Sequence, residues 1–200
     1  VAVAVNPHGH GRASDWVERF LPGVPAGGVV LDIACGAGRH LRRALERGHP
    51  VVGLDRDVSG LADLAGRGDV EILAHDLEAE GGLDLPTGTR RFGGVIVTNY
   101  LFRPLLTRLS GLVAADGVLI YETFARGQER FGKPSNPSFM LGPNELLAPE
   151  ILGDLVVVGF EQGELPAELT VTRAPKIVQR LAAVGPAHPW AQAAPRPIGG

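Results

Sequence analysis

The first stretch of this chain that could do chemistry is a glycine turn between an apolar run and a helical one. Residues Val29 to His40 read VVLDIACGAGRH. A buried-type strand ends at Ile33, and Gly36 and Gly38 form the turn into a helix. Glycine has no Cβ, so the backbone there can turn tightly and let a ligand approach. Asp55 closes the next apolar run, 19 residues after Gly36, followed by Arg56. A carboxylate at that point can accept both hydroxyl protons of a ribose. Asp76, in AHDLE, can accept from an adenine amino group, and the backbone N–H of Leu77 can donate to a ring nitrogen. Asn99 and Tyr100 end a fourth run, VIVTNY. Each feature has a plainer alternative: a tight turn, a helix cap at Asp55, Asp57 or Asn99, a turn residue at Asp76, packing for Tyr100. Four successive strand ends with polar groups on one edge favour a nucleoside-type ligand over four separate coincidences.

The kind of nucleoside follows from what surrounds the turn. A dinucleotide fingerprint needs a third glycine where this chain has Leu41. Asp32, just before the turn, puts a negative charge where a pyrophosphate would sit. That charge suits a ligand carrying an ammonium and a sulfonium. No G-x-x-x-x-G-K-[ST] loop is present.

The elements that must hold these groups alternate. Strands are expected at Val29–Ile33, Val51–Leu54, Val70–Ala74, Gly94–Thr98 and Val118–Thr123. Helices are expected at Arg39–Arg47, Val58–Ala65 and Pro104–Ala114. Gly81–Arg91 reads as a loop. This rhythm means βαβ units and a mostly parallel sheet, with both faces covered by helices. An earlier helix is expected to start with Asp15 as its cap and Glu18 as capping-box partner. Beyond Thr123, Asn144 is expected to cap a short helix, and Leu155–Phe160 and Ile177–Ala183 to form two last strands. Residues 1–13 read as a flexible arm and 14–185 as one domain. Residues 186–200, with four prolines, read as a loosely ordered tail.

The set LDIACGAG, Asp55, HDL and TNY resembles the class I S-adenosylmethionine-dependent methyltransferases, over about Val29 to Thr123. Within that class the small size is similar to the tellurite-resistance-type and other small-molecule enzymes. The resemblance implies a doubly wound α/β fold with a seven-stranded sheet of order 3-2-1-4-5-7-6, the last strand antiparallel. It implies that Asp32, Ala34, Gly36 and Gly38 surround the methionine part of the cofactor, Asp55 with Arg56 the ribose, and Asp76 with Leu77 the adenine. Asn99 completes the set and, with Tyr100, is the catalytic candidate. S-adenosylmethionine would be the methyl donor and S-adenosylhomocysteine the product.

Substrate contacts are expected from segments without a cofactor role: Trp16, Arg103, Tyr121, and Arg126 and Arg130 in a lid-like insertion at about 124–142. Arg103, Arg126, Arg130 and Lys133 could together receive an anionic or polar substrate. Tyr121 and Glu122 are further acid–base or orienting candidates. Cys35 reads as packing, and His8 and His10 lack the partners of a metal site.

The net charge of −3 and 6% aromatic content argue against a nucleic-acid partner. No apolar run reaches the roughly 18 residues a membrane span needs, and the N-terminal VAVAVNPHGH lacks the features of a signal peptide. A cytoplasmic enzyme acting on a small molecule is the expectation. An RNA or protein methyltransferase, a non-catalytic nucleoside-binding protein and a nicotinamide oxidoreductase are the alternatives.

Overall fold

The computed structural model describes residues 11–170 and 172–192. The expectations for most of the N-terminal arm, including His8 and His10, and for residues 193–200 lie outside them. Seven strands form one sheet: β1 (Val30–Ile33), β2 (Val51–Asp55), β3 (Val70–Ala74), β4 (Phe92–Thr98), β5 (Val113–Phe124), β6 (Val156–Leu165) and β7 (Lys176–Val184). Their order is β3-β2-β1-β4-β5-β7-β6, as expected. The first five run parallel, and β7 is antiparallel to both neighbours.

Two cores follow from the period of two along each strand. Leu31, Val52, Val95 and Leu119 pack on one face with helices α3 (Arg103–Leu106), α4 (Leu109–Leu112) and α5 (Pro149–Leu152). Val30, Val51, Ile96, Ile120 and Ala182 pack on the other with α1 (Asp15–Phe20) and α2 (Arg39–Glu46). On this second face the apolar rows end in polar residues. Asp32 follows Val30, Thr98 follows Ile96, Glu122 follows Ile120, and Arg180 pairs across the ladder with Glu122. The carboxyl end of the sheet thus carries a buried polar row beneath the turn after β1.

Several local expectations are corrected. Ser14, not Asp15, caps α1, its Oγ accepting from Val17 N at 3.1 Å. Glu18 closes no capping box; it accepts from Arg43 Nε at 2.6 Å instead. Val58–Ala65 is not an α-helix: Ser59–Leu64 is a 3₁₀ turn whose buried Leu61 and Leu64 share the three-residue period. Gly60 there lies so close to Ala37 that an added Cβ would meet its Cα at 2.9 Å. The helix expected at Pro104–Ala114 splits into α3 and α4, and β5 already begins at Val113, opposite Phe92. Asn144 precedes a 3₁₀ turn, Glu145–Leu147, in the left-handed conformation and makes no side-chain cap. The tail is not loose as far as residue 192. Buried His188 bonds Gly23 O at 2.8 Å, and Trp190, in α6 (Pro189–Gln192), packs on Phe20. Among the described residues no helix is long and apolar enough to cross a membrane.

Candidate functional site

The carboxyl ends of β1, β2, β3 and β4 open onto two adjoining cavities of about 490 and 410 Å³, with Ala34, Asp55 and Asn99 shared between them. These volumes lie within the range of small-ligand sites. The smaller cavity continues over Arg56, His75, Asp76, Leu77 and Tyr100. The larger runs from the turn after β1 to the β6–β7 connection.

The turn is built from its dihedrals. Gly36 (φ 55°) and Gly38 (φ 78°) are left-handed, a conformation glycine adopts without steric cost. An added Cβ on Gly36 would meet nothing within 4 Å, so its Cα faces open space. On Gly38 it would meet Leu61 Cδ2 at 2.4 Å, so that glycine serves packing. Asp55 is locked to the turn: Oδ2 accepts from Gly36 N at 2.8 Å and Oδ1 from Asp57 N at 3.0 Å. Each oxygen keeps a lone pair for a further donor. Ala34 (φ 55°) and Asn99 (φ 53°) are left-handed without being glycine, so backbone strain gathers at the crevice. Asn99 caps no helix; its N–H donates to Glu122 O at 2.8 Å, tying the β4 end to β5.

Ala34, Gly36, Asp55, Arg56, Asp76, Leu77, Asn99 and Tyr100 therefore line one crevice. Asp32 and Gly38 do not. Asp32 is 1% exposed, and both its carboxylate oxygens lack a hydrogen-bond partner. Burial pushes its pKa up to about 8, against the pull of Arg39. His40 Nδ1 stands 3.8 Å from it, and burial drives that imidazole down to about 3. Both groups are thereby held neutral near pH 7 rather than as an ion pair. Tyr100 donates to Glu78 Oε1 at 3.2 Å, and burial, with Glu78 beside it, raises its pKa. A phenol so placed is a poor base.

The expected substrate residues lie elsewhere. Trp16 is buried in the core, and its Nε1 donates to Leu181 O at 3.1 Å. Tyr121 is buried too; its hydroxyl donates to Tyr100 O at 2.7 Å and anchors the Asn99–Tyr100 turn. Arg103 holds Glu145 and the carbonyls of Ser138 and Met140, so it fastens the 124–142 segment instead of facing a ligand. Arg126 and Arg130 are exposed and line none of these cavities, and Arg130 faces Glu164 at 3.8 Å. Of that basic set only Lys133 borders the larger cavity.

Other residues line it that composition and motif alone do not single out: Arg39, His40, Lys176 and Arg180; Glu122, an acid–base candidate from the sequence, lines it with them. Arg39 is 8% exposed and makes no hydrogen bond or ion pair among the described residues; Asp32 and Glu122 reach it only at longer range. The available signal was strand parity. Asp32, Thr98 and Glu122 each stand two positions beyond a core residue of the same face.

No protein-family model matches the chain, and no curated protein is similar to it. Solved structures do match in shape. TehB from Haemophilus influenzae superposes with a TM-score of 0.63 at 18% identity, over 86% of this chain and 61% of that one. This chain thus spans less than two thirds of that protein's length. The 1,6-didemethyltoxoflavin-N1-methyltransferase of Burkholderia thailandensis, solved with bound 1,6-didemethyltoxoflavin and S-adenosylhomocysteine, gives 0.59 at 20% identity, over 85% and 76%. A TehB-like methyltransferase from Corynebacterium glutamicum gives 0.55 at 17%, over 86% and 88%.

Proposed function

We propose that this chain, which has the fold of the class I S-adenosylmethionine-dependent methyltransferases, moves a methyl group from S-adenosylmethionine to a small-molecule acceptor. The observation that carries this reading is the Asp55–Gly36 hydrogen bond at the mouth of a crevice crossing four parallel strand ends. It sets an acceptor for ribose hydroxyls beside a glycine with open space over its Cα.

The residues present fit such a cofactor. Asp55 would hold the ribose, with Arg56 flanking it, and Asp76 and Leu77 the adenine. The unpartnered, buried Arg39 suits the carboxylate of the methionine part. Asp32, held neutral beneath the turn, would make no contact with the cofactor. Asn99, fixed to β5, would border the reacting end. When bound, the sulfonium supplies an electrophilic methyl carbon with a neutral thioether as its leaving group. The protein's task is then to hold the acceptor in line and keep water out, which can lower a barrier by about 7–11 kcal/mol. The segment 124–142 borders the acceptor side through Phe124, Gln128, Phe131 and Lys133 and is proposed as its cover.

Thermal unfolding with S-adenosylmethionine, S-adenosylhomocysteine, NADH and NADPH added separately tests the reading. A ligand at about 100 times its Kd stabilises the native state by roughly 2.7 kcal/mol. In a domain of this size that raises Tm by about 5–10 °C. The rise is expected with the two sulfur nucleosides only, and is expected to disappear in Asp55→Ala. A rise confined to the nicotinamide nucleotides would overturn the assignment.

A further inference from the structure

The acceptor side of the larger cavity has its own charge pattern. Glu122, 1% exposed, accepts from Lys176 Nζ at 3.0 Å and from Arg180 Nη1 at 3.4 Å. Arg180 Nη2 also holds Glu161, so these two cations face two carboxylates, and Lys176 keeps two N–H donors for a ligand. Lys133 adds a third cation, exposed and without an ion-pair partner among the described residues. The Gln128 side chain ties the two lysine-bearing segments together. Its Nε2 donates to Lys133 O at 3.3 Å, and its Oε1 accepts from Ile177 N at 2.8 Å. Around these cations stand Phe131, 39% exposed, and Leu169, 53% exposed. An apolar rim over a basic floor fits a ligand with an apolar body and an anionic end.

Among the described residues, the same walls hold no free base. Asp15 is paired with Arg12. Asp55 holds the amides of Gly36 and Asp57. Glu122 is held between its two cations. His40 is 2% exposed, and its Nε2 accepts from Ser14 N at 3.4 Å. Cys35 is buried, its thiol driven upward first by burial and then by Asp32. An acceptor that must lose a proton, such as an ammonium or an alcohol, finds no group here to take it. An acceptor already ionised in water needs none.

We propose that the acceptor is an organic acid bound as its anion, an apolar body ending in a carboxylate that is methylated on oxygen; this rests on the cofactor reading above. The carboxylate oxygen forms its bond to the methyl carbon as the carbon–sulfur bond breaks, and that bond's electron pair goes to sulfur. The products are a methyl ester and a neutral thioether, and no proton is released.

Calorimetric titration of the whole chain saturated with S-adenosylhomocysteine tests this. The probes are 3-phenylpropanoate and octanoate, with 3-phenylpropanamide and 3-phenylpropylamine as neutral and cationic controls. The acids are expected to bind at least about tenfold more tightly than the controls, since a hydrogen bond to a charged group is worth about that factor or more. Lys133→Gln, at an exposed position, is expected to weaken the acids about tenfold and to leave S-adenosylhomocysteine binding unchanged. With S-adenosylmethionine instead, the methyl ester is expected by mass spectrometry, without acidification of a weakly buffered solution. Binding of neither acid, binding of the amide or amine as tightly as the acid, or acid affinity unchanged in both Lys133→Gln and Lys176→Gln would overturn this proposal alone. Failure of S-adenosylhomocysteine to bind would overturn the cofactor reading and this proposal with it.

Discussion

Beneath the crevice, Asp32 and His40 face each other at 3.8 Å with both charges suppressed by burial. Stability should therefore depend on pH in two opposed ways. Native Asp32 keeps, up to about pH 8, a proton that the unfolded chain loses near its ordinary 3.8, so its contribution falls as pH rises through that window. Native His40 refuses, down to about pH 3, a proton that the unfolded chain takes near 6.5, so its contribution falls as pH drops through that window. Between about pH 6.5 and 8 only the Asp32 slope acts. Asp32→Asn should then melt above the wild type at pH 8, by about 5 °C or more, with the gap closing toward pH 4. His40→Gln should flatten the loss of Tm below pH 6.5. Melting curves across pH 4–8 check both, and an Asp32→Asn variant that melts lower at pH 8 would mean that the ionised carboxylate stabilises the fold. The type and spacing of Asp32 were legible in the chain. Its burial against His40 was not, because it depends on α2 folding back over β1.

The element that decides the site is the turn from β1 to α2. Its two glycines share a backbone conformation but not an environment, so their substitutions should differ. Gly38→Ala combines left-handed strain of about 1–2 kcal/mol with a clash against Leu61. Overpacking adds about 1–3 kcal/mol, and the sum should appear as a loss of denaturant stability. Gly36→Ala carries only the strain. It should cost about 1–2 kcal/mol of stability, yet weaken S-adenosylhomocysteine at least tenfold, because the new methyl group projects into the crevice. Equal losses of stability in the two variants would contradict the geometry at Gly38. The strands that frame the turn were readable from their apolar runs. The spacing suggests a helix at Val58–Ala65 and a single helix at Pro104–Ala114, and the structure has a 3₁₀ turn and two short helices there. Segments of four to six residues hold too few turns for their spacing to separate α from 3₁₀ geometry, and contacts with Ala37 and Phe92 decide them.

At the scale of the molecule, the chain after β7 closes the second core. Trp190 stands against Phe20 and over Gly23, where a Cβ would meet its ring at 2.6 Å. Trp190→Ala should therefore destabilise the whole domain, by about 2–3 kcal/mol, somewhat below the 3–5 kcal/mol of a fully buried tryptophan. A single denaturant transition shifted to lower midpoint with unchanged slope would show it. An unshifted midpoint would mean that this segment adds nothing to the core. The prolines and missing periodicity of this region suggested loose chain, since such signals report local structure and not a docking partner more than 160 positions away.

By itself the sequence determined the succession of strands along the chain, the glycine turn and the acids at successive strand ends. Those properties are written in periods of two and 3.6 residues and in backbone preferences, which are local. Only the tertiary structure decided which charged side chains share the crevice. Arg103, Arg126 and Arg130 look like an anion site because they are basic and near one another in the chain, yet Arg103 is spent on holding a loop and the other two, both exposed, line neither cavity. Glu122, Lys176, Arg180 and Arg39 come together instead because β5 and β7 pair antiparallel beside the parallel strands, which brings their side chains to the end of the sheet where β1 delivers the turn. Long-range pairing sets that meeting, and no local pattern encodes it.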